Sequence, residues 1–163
     1  MAHYLGVDVG SVSTNLVLID EDENVIESIY IRTQGNPIRA VQEGMKILAS
    51  RNKGAWEVKG VGATGSGRNL AGVIVGADVI KNEITAHAVA SLREVPDVQT
   101  VLEIGGQDSK IIILRDGVVT DFAMNTVCAA GTGSFLDQQA NRLNIPIEEF
   151  GNYALRSKNP VRI

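Results

Sequence analysis

The sequence predicts an α/β fold that contains a duplicated β-β-β-α unit. A segment around Asp8 and Gly10 returns in looser form around Glu103 and Gly105, at a constant offset of 95 residues (8 to 103 and 10 to 105). Each copy has a short apolar run, one carboxylate, a glycine turn with hydroxyl or amide side chains, and a second apolar run. Apolar runs joined by turn residues are typical of hairpins. The apolar spacing that follows each set of strands is typical of a helix.

The first copy is expected to run through three strands into a helix. The strands are predicted at 4–9, 14–20 and 25–31, where apolar and β-branched runs are separated by turn residues. Asn36 and Pro37 are typical of a helix start, with asparagine as the cap and proline at the first helical position. The rest of this half is predicted as a buried strand at 58–63, a glycine turn at 64–68, a short strand near 77–80 and a helix from about 82 to 95.

The second copy repeats this order. Strands are predicted at 101–104, 110–114 and 118–123, and Asp116-Gly117 is a strong signal for a two-residue hairpin turn. A helix is expected from about 134 to 143, and Pro146 opens another short helix. We therefore expect a first lobe at 1–97 and the start of a second lobe at 98–163. Because the second half is shorter than the first, we expect the second lobe to be incomplete.

The composition is that of an ordinary globular protein and excludes several classes of function. A chain of 163 residues is long enough for one domain with a proper core. The net charge of −4 and the aromatic content of 4% argue against a nucleic-acid partner. No apolar run approaches the roughly 20 residues of a membrane-spanning helix, so no membrane association is expected. The single cysteine excludes an internal disulfide framework and predicts a cytoplasmic protein.

The first glycine turn has the residues of a phosphate site. Gly10 stands where a backbone must come close to a ligand, and Ser11, Ser13 and Thr14 can donate hydroxyl hydrogen bonds to phosphate oxygens. Asp8 is expected to hold Mg²⁺ through water, because Mg²⁺ gives up its water reluctantly. The alternative is a solvated hairpin turn, since Asp, Gly and Ser are common there. The existence of a second copy favours the functional interpretation.

The second glycine turn offers a related set of groups. Glu103 takes the place of Asp8 as the metal-side carboxylate, and the glycine pair Gly105-Gly106 frees backbone N–H groups to bind phosphate. Gln107 and Asp108 are candidates to orient or deprotonate an attacking water. Two interpretations of Lys110 stay open, a counter-charge for phosphate and a solvated strand residue.

Two further residues are candidates for chemistry. Glu83 lies in the first turn of a predicted helix, where the helix dipole favours a carboxylate, and it is also a candidate catalytic carboxylate. Cys128 lies just before a predicted helix, where the dipole favours the thiolate that binds soft metals. A buried structural cysteine is the alternative. No P-loop signature (glycine, four residues, then Gly-Lys-Ser/Thr) is present.

Five motifs occur in order along the chain: GVDVGSVST at 6–14, ATGSGR at 63–68, KNEITAH at 81–87, EIGGQD at 103–108 and NTVCAAGTG at 125–133. Together they resemble a known family, the ATPase activators of 2-hydroxyacyl-CoA dehydratases and the related ATPase subunits of benzoyl-CoA reductase. The resemblance covers nearly the whole chain, and the segment with the cysteine is the most specific. It implies an actin-, hexokinase- and Hsp70-like fold, in which two ribonuclease-H-like lobes bind ATP in a cleft.

The resemblance also implies a function. In that family a homodimer shares one 4Fe–4S cluster, to which each subunit contributes two cysteines. Cys128 matches the first of these, and the second lies further along than this sequence runs. ATP hydrolysis is expected to move the dimer, after which an electron passes from ferredoxin or flavodoxin through the iron–sulfur cluster to the dehydratase or reductase component.

The sequence departs from the family pattern at two positions. Asn15 stands where the family commonly has Lys, and Glu103 stands where it commonly has Asp. The first change removes a charge partner for phosphate, and the second lengthens the metal-side carboxylate by one methylene.

Two alternative functions stay open: a small-molecule kinase of the same superfamily, with Glu83 as its catalytic carboxylate, and a nucleotide-binding module without catalysis.

Overall fold

The computed structural model describes residues 2–52, 56–125 and 132–160. The chain divides into two compact units, one formed by residues 1–101 with 112–122 and the other by 102–111 with 123–163. The lobe division at residue 97 stays a prediction.

The first unit contains a five-stranded sheet whose strands are ordered β3-β2-β1-β4-β5. The strands are β1 (Ala2–Val9), β2 (Ser13–Asp20), β3 (Val25–Arg32), β4 (Glu57–Thr64) and β5 (Val79–Ile80). The first three pair antiparallel, as the short turns between them require, whereas β4 pairs parallel to β1 and β5 parallel to β4. The carboxyl ends of β1, β4 and β5 therefore meet at one edge of the sheet.

Three helices belong to this unit: α1 (Pro37–Arg51), α2 (Arg68–Val75) and α3 (Glu83–Glu94). The predicted cap of α1 is confirmed, because the Asn36 side chain accepts from the Arg39 N–H at 3.1 Å. Helix α2 is missing from the sequence prediction, which placed only a glycine turn there. Gly76 ends this helix in the left-handed conformation, with φ of 66°, and is the sequence signal that could have indicated it.

Alternation along the strands builds the main core. Leu5, Val7 and Val9 of β1 point to the same face as Leu16 and Leu18 of β2, and all five are buried. Val41 and Leu48 of α1, Ile29, Ala63 and Ala71 complete this cluster. A second, smaller core forms where Ile84 and Ala88 of α3 pack with Ile112 and Leu114.

The second three-stranded set confirms the predicted duplication. It consists of β6 (Thr100–Ile104), β7 (Ser109–Arg115) and β8 (Val118–Met124), ordered β6-β7-β8. Asp116 and Gly117 have φ of 50° and 75°, as a two-residue hairpin turn requires. Helices α4 (Gly133–Arg142) and α5 (Ile147–Leu155) follow. Three strands followed by a helix therefore occur twice, and the predicted α/β class with a duplicated β-β-β-α unit is confirmed.

Equivalent positions of the two copies differ in burial. Val7 and Val9 are 1% and 2% exposed, whereas Leu102 and Ile104, which lie 95 residues later (7 to 102 and 9 to 104), are 72% and 55% exposed. The apolar face of β1 therefore lies in a core, and the equivalent face of β6 is exposed to solvent.

This difference in burial predicts a large effect on stability for one alanine substitution and a small effect for the other. We expect Val7→Ala to lower the free energy of unfolding by about 2 kcal/mol, because it leaves a cavity among packed neighbours. Leu102→Ala should change it by less than about 0.5 kcal/mol, since most of that side chain already contacts water. Urea unfolding followed by circular dichroism measures both, and a larger effect for Leu102→Ala would contradict the burial described above.

Candidate functional site

The first glycine turn holds Asp8 against a neutral partner. Asp8 lies directly opposite Asn15 in the register of β1 with β2. The Asn15 Nδ2 group donates to Asp8 Oδ2 at 3.1 Å and to Ser13 Oγ at 3.3 Å. The turn is closed by the Gly10 N–H, which donates to the Ser13 carbonyl at 2.8 Å. The predicted residues Asp8, Gly10 and Ser13 are thus brought together, with the amide orienting the carboxylate without cancelling its charge.

The two remaining hydroxyls of this turn differ. Ser11 is exposed and accessible to a ligand. Thr14 is fully buried, and its Oγ1 lies 3.0 Å from Thr33 Oγ1. Because the Thr33 hydroxyl donates to the Gly10 carbonyl at 2.9 Å, Thr14 is left as the donor to Thr33. Its hydroxyl proton is therefore used within the protein, and its role as a phosphate donor stays a prediction.

The second glycine turn repeats the geometry of the first at the same offset. The Gly105 N–H donates to the Asp108 carbonyl at 3.1 Å, as Gly10 does to Ser13. The Lys110 ammonium donates to Glu103 Oε2 at 3.0 Å, in the place of the contact between Asn15 and Asp8. It also donates to Asp108 Oδ1 at 2.7 Å. The duplication therefore extends from the sequence to individual hydrogen bonds.

Lys110 is only 7% exposed, so the solvated-strand interpretation is wrong. Burial alone lowers the pKa of this ammonium, but the hydrogen bonds to Asp108 and Glu103 outweigh burial and raise its pKa above the ordinary value. Lys110 is therefore charged at neutral pH and is shared by two carboxylates. Its role as a phosphate partner stays a prediction.

The glycine pair of this turn is fixed by the start of α4. The Gly133 N–H donates to the Gly105 carbonyl at 2.6 Å, and the Ser134 N–H donates to the Gly106 carbonyl at 2.9 Å. A side chain at Gly133 would place its Cβ 2.7 Å from the Gly105 carbonyl oxygen, so only glycine fits. Gln107 is exposed at the tip of the turn, where it can reach a ligand.

A third segment, 64–68, packs on the Asp8 end of β1. The Gly67 N–H donates to the Val9 carbonyl at 2.8 Å. Gly65 has φ of +88°, and a Cβ there would overlap Asp8 Oδ1 and lie 2.6 Å from the Val9 carbonyl oxygen. The parallel pairing of β1 with β4 thus brings Thr64 and Gly65 beside Asp8. Thr64 is not among the site residues that the sequence predicts.

Glu83 begins α3 just after β5, at the same edge of the sheet. Its Oε2 lies 3.5 Å from Arg68 Nη1. Within the described part of the chain, neither Glu83 Oε2 nor Thr64 Oγ1 makes a hydrogen bond, although both atoms are buried. Buried polar atoms without partners are uncommon and often mark functional positions.

Two expectations concern residues or groups that this structure does not place. Cys128, the predicted cluster ligand, lies outside the described residues. Among residues 2–52, 56–125 and 132–160, no three His, Cys, Asp or Glu side chains form a ready metal-binding group.

None of the helices described here is long and apolar enough to cross a membrane.

Paired glycine hairpins on a duplicated β-β-β-α unit define an actin-like ATPase fold. The chain belongs to the BadF/BadG/BcrA/BcrD ATPase family, which it matches over residues 5–163. This confirms the family resemblance and the fold class that the motifs predicted. The roles of the individual site residues stay predictions.

Several proteins that this chain resembles are named as activators or components of CoA dehydratases. The chain is 33% identical over 163 residues to the (R)-2-hydroxyglutaryl-CoA dehydratase activating ATPase of Acidaminococcus fermentans, covering 98% of this chain and 60% of that protein. The crystal structure of that dehydratase's component A has a TM-score of 0.76 at 31% identity and covers 100% of this chain and 62% of the other. The activator of 2-hydroxyisocaproyl-CoA dehydratase from Clostridium difficile, with bound ADPNP, has a TM-score of 0.77 at 31% identity, with coverages of 99% and 59%. The chain thus spans about 60% of the length of the relatives it matches.

The buried ion pairs of Lys110 predict a substantial cost for its removal. We expect Lys110→Met to lower the free energy of unfolding by about 2 kcal/mol, because two neighbouring carboxylates lose their shared cation. Lys59 is a matched control on β4, since it pairs with Glu57 at an exposed position. Lys59→Met should cost less than about 0.5 kcal/mol in the same urea titration. Equal costs for the two variants would contradict the assigned contacts.

The pH dependence of this cost follows from the raised pKa of Lys110. A group whose pKa is higher in the folded state stabilises the fold fully below its unfolded pKa, which is about 10.4 for lysine. The difference between wild type and Lys110→Met should therefore be constant from pH 7 to 9 and shrink only as the pH rises above about 10.4. A difference that already falls between pH 7 and 9 would refute this sign.

Proposed function

We propose that this chain is part of an ATP-hydrolysing activator that drives low-potential electron transfer to a 2-hydroxyacyl-CoA dehydratase or a related reductase. The observation that carries the proposal is the repeated glycine turn, in which equivalent hydrogen bonds hold a carboxylate beside backbone groups. Membership of an ATPase family and the dehydratase activators among the relatives support it. The relative that binds ADPNP supports a nucleotide ligand.

The first turn is the better candidate for a magnesium site. The Asn15 amide, which carries no charge itself, orients the Asp8 carboxylate, and carboxylates are the protein ligands that Mg²⁺ commonly uses. Thr64 Oγ1 is a buried oxygen at the same edge whose hydrogen-bonding capacity no described residue uses. A bound Mg²⁺ would supply neutralisation of the phosphate charge. The protein's own part is to fix Asp8 and to present the Gly10 backbone and the exposed Ser11 hydroxyl to phosphate oxygens.

The three candidates for orienting the attacking water differ in exposure and in the hydrogen bonds that their side chains already make. The Asp108 carboxylate is bound by Lys110, and Gln107 is exposed. Glu83 presents a buried Oε2 that accepts no hydrogen bond from any described residue. We propose that Glu83 accepts a hydrogen bond from the attacking water. Gln107 and Asp108 stay predicted candidates for the same role.

ATP use is energetically sensible for such an activator. For one electron, a tenfold change in equilibrium corresponds to about 59 mV, or roughly 1.4 kcal/mol. Raising an electron by several hundred millivolts therefore needs on the order of 10 kcal/mol. A reaction of the magnitude of ATP hydrolysis can supply that amount.

The cluster in this proposal needs ligands that this sequence does not contain. A 4Fe–4S cluster is held by four cysteine thiolates, and the sequence has one cysteine. A homodimer of this sequence supplies two of the four, so Cys128 accounts for half of the ligands that the proposed cluster needs. We propose Cys128 as the first ligand, a ferredoxin or flavodoxin as the electron donor, and a cytoplasmic location.

The first test is ATP turnover by the full-length protein. Asp8→Asn should reduce Mg²⁺-dependent phosphate release by about 100-fold, because the carboxylate is the charge that holds the hydrated cation. Asp97→Asn, an exposed carboxylate outside the site, serves as the control and should leave turnover unchanged. Turnover that requires an added acceptor would indicate a small-molecule kinase instead. Nucleotide binding without any turnover would indicate a non-catalytic module.

The second test addresses the cluster. After anaerobic reconstitution of the full-length protein with iron and sulfide, we expect the broad visible absorbance of an iron–sulfur cluster and about four iron atoms per dimer. Cys128→Ala should abolish that absorbance while the far-ultraviolet circular dichroism of the apoprotein stays unchanged. A cluster that survives this substitution would exclude Cys128 as a ligand.

A further inference from the structure

Arg68 links two of the segments that meet at the carboxyl edge of the first sheet. Its Nη1 donates to the Gly65 carbonyl at 3.1 Å and lies 3.5 Å from Glu83 Oε2. Arg68 is the first residue of α2 and Glu83 the first residue of α3, so each follows a parallel strand of this edge closely. One guanidinium therefore connects the glycine turn beside Asp8 to the carboxylate that begins α3.

The position of Glu83 is not explained by helix capping. The cap of α3 is Asn82, whose side chain accepts from the Thr85 N–H at 2.9 Å. Since Asn82 fills that role, the Glu83 carboxylate is not needed as the cap. Its Oε2 is buried without a hydrogen bond from the described residues, and its one polar contact among them is the ion pair with Arg68 at 3.5 Å. This leaves hydrogen-bonding capacity that a ligand can use.

Thr64 adds an independent observation at the same place. It directly precedes Gly65, the residue whose carbonyl Arg68 binds, and its Oγ1 is also buried with no hydrogen bond among the residues described. Two oxygens with unused hydrogen-bonding capacity thus belong to the segments that Arg68 connects: Glu83 Oε2, which Arg68 contacts, and Thr64 Oγ1, next to Gly65. On the other side of Gly65 lies Asp8 Oδ1, which is so close that a Cβ would not fit.

We propose that Arg68 is a positioning residue for Glu83, fixing its carboxylate so that Oε2 can accept from the attacking water. This inference rests on the proposed ATP hydrolysis. Arginine suits the task because Nη1 carries two N–H groups in a fixed plane, one for the Gly65 carbonyl and one for the Glu83 carboxylate. A lysine ammonium is a point charge on a flexible stem. Arg68 itself does not contact the reacting atoms.

The experiment is a double-mutant cycle on the full-length protein, with ATP turnover and the Kd of Mg·ADPNP as readouts. We expect Arg68→Met and Glu83→Gln each to lower kcat by about 30-fold, with Kd changed less than about 2-fold. The double variant should be no slower than Glu83→Gln alone, because a positioning residue has nothing left to position. Arg68→Lys should recover only part of the rate.

Arg93 is a matched control in the same unit. It pairs with Glu23 at 2.7 Å on the surface, so Arg93→Met removes an arginine ion pair without touching this edge. We expect its kcat to equal that of the wild type. Additive losses in the double variant, or a wild-type rate in Arg68→Met, would overturn the positioning role alone. A wild type that does not hydrolyse ATP would refute the proposed function and this inference together.

Discussion

Both glycine turns depend on a single cross-strand contact between a carboxylate and a donor side chain seven residues later. Asn15 holds Asp8 in the first turn and Lys110 holds Glu103 in the second. In each turn a glycine N–H also donates to a carbonyl three residues on, which fixes the backbone between the paired strands. A carboxylate held in this way loses little freedom when it binds a ligand, and such pre-organisation is what phosphate chemistry requires.

The donor is the point at which the two copies differ. An amide leaves the charge of Asp8 in place, whereas the buried Lys110 ammonium offsets one of the two carboxylates that it binds. A buried ammonium is tolerated only when it is paired. The Lys110 ammonium is paired with Glu103 and Asp108, so its first role is to stabilise its own turn. The two turns thus share their backbone geometry and differ in the charge of the side chain that holds the carboxylate.

Local patterns in the sequence were sufficient for much of this structure. The strands, the capped start of α1, the start of α3 near residue 82 and the turn at Asp116 depend on neighbouring residues alone, and they were predicted correctly. Helix α2 was missed because it has only eight residues and follows a glycine-rich turn that dominated the interpretation. The burial of Lys110 depends on tertiary packing, which no alternation of strand residues reveals.

The site at the edge of the first sheet could be predicted only in part, because it depends on parallel pairing. Thr64 lies opposite Asp8 although 56 residues separate them (8 to 64), and no local pattern specifies that register. Glycines gave the more reliable signal: at Gly65 and Gly133 a side chain would overlap a carboxylate or a carbonyl oxygen. Glycine loses more conformational entropy on folding than any other residue, and this destabilises the fold. At these two positions that cost is offset by close backbone contacts that no other residue permits. The geometry of the site is thus specified by close backbone contacts as much as by its charged side chains.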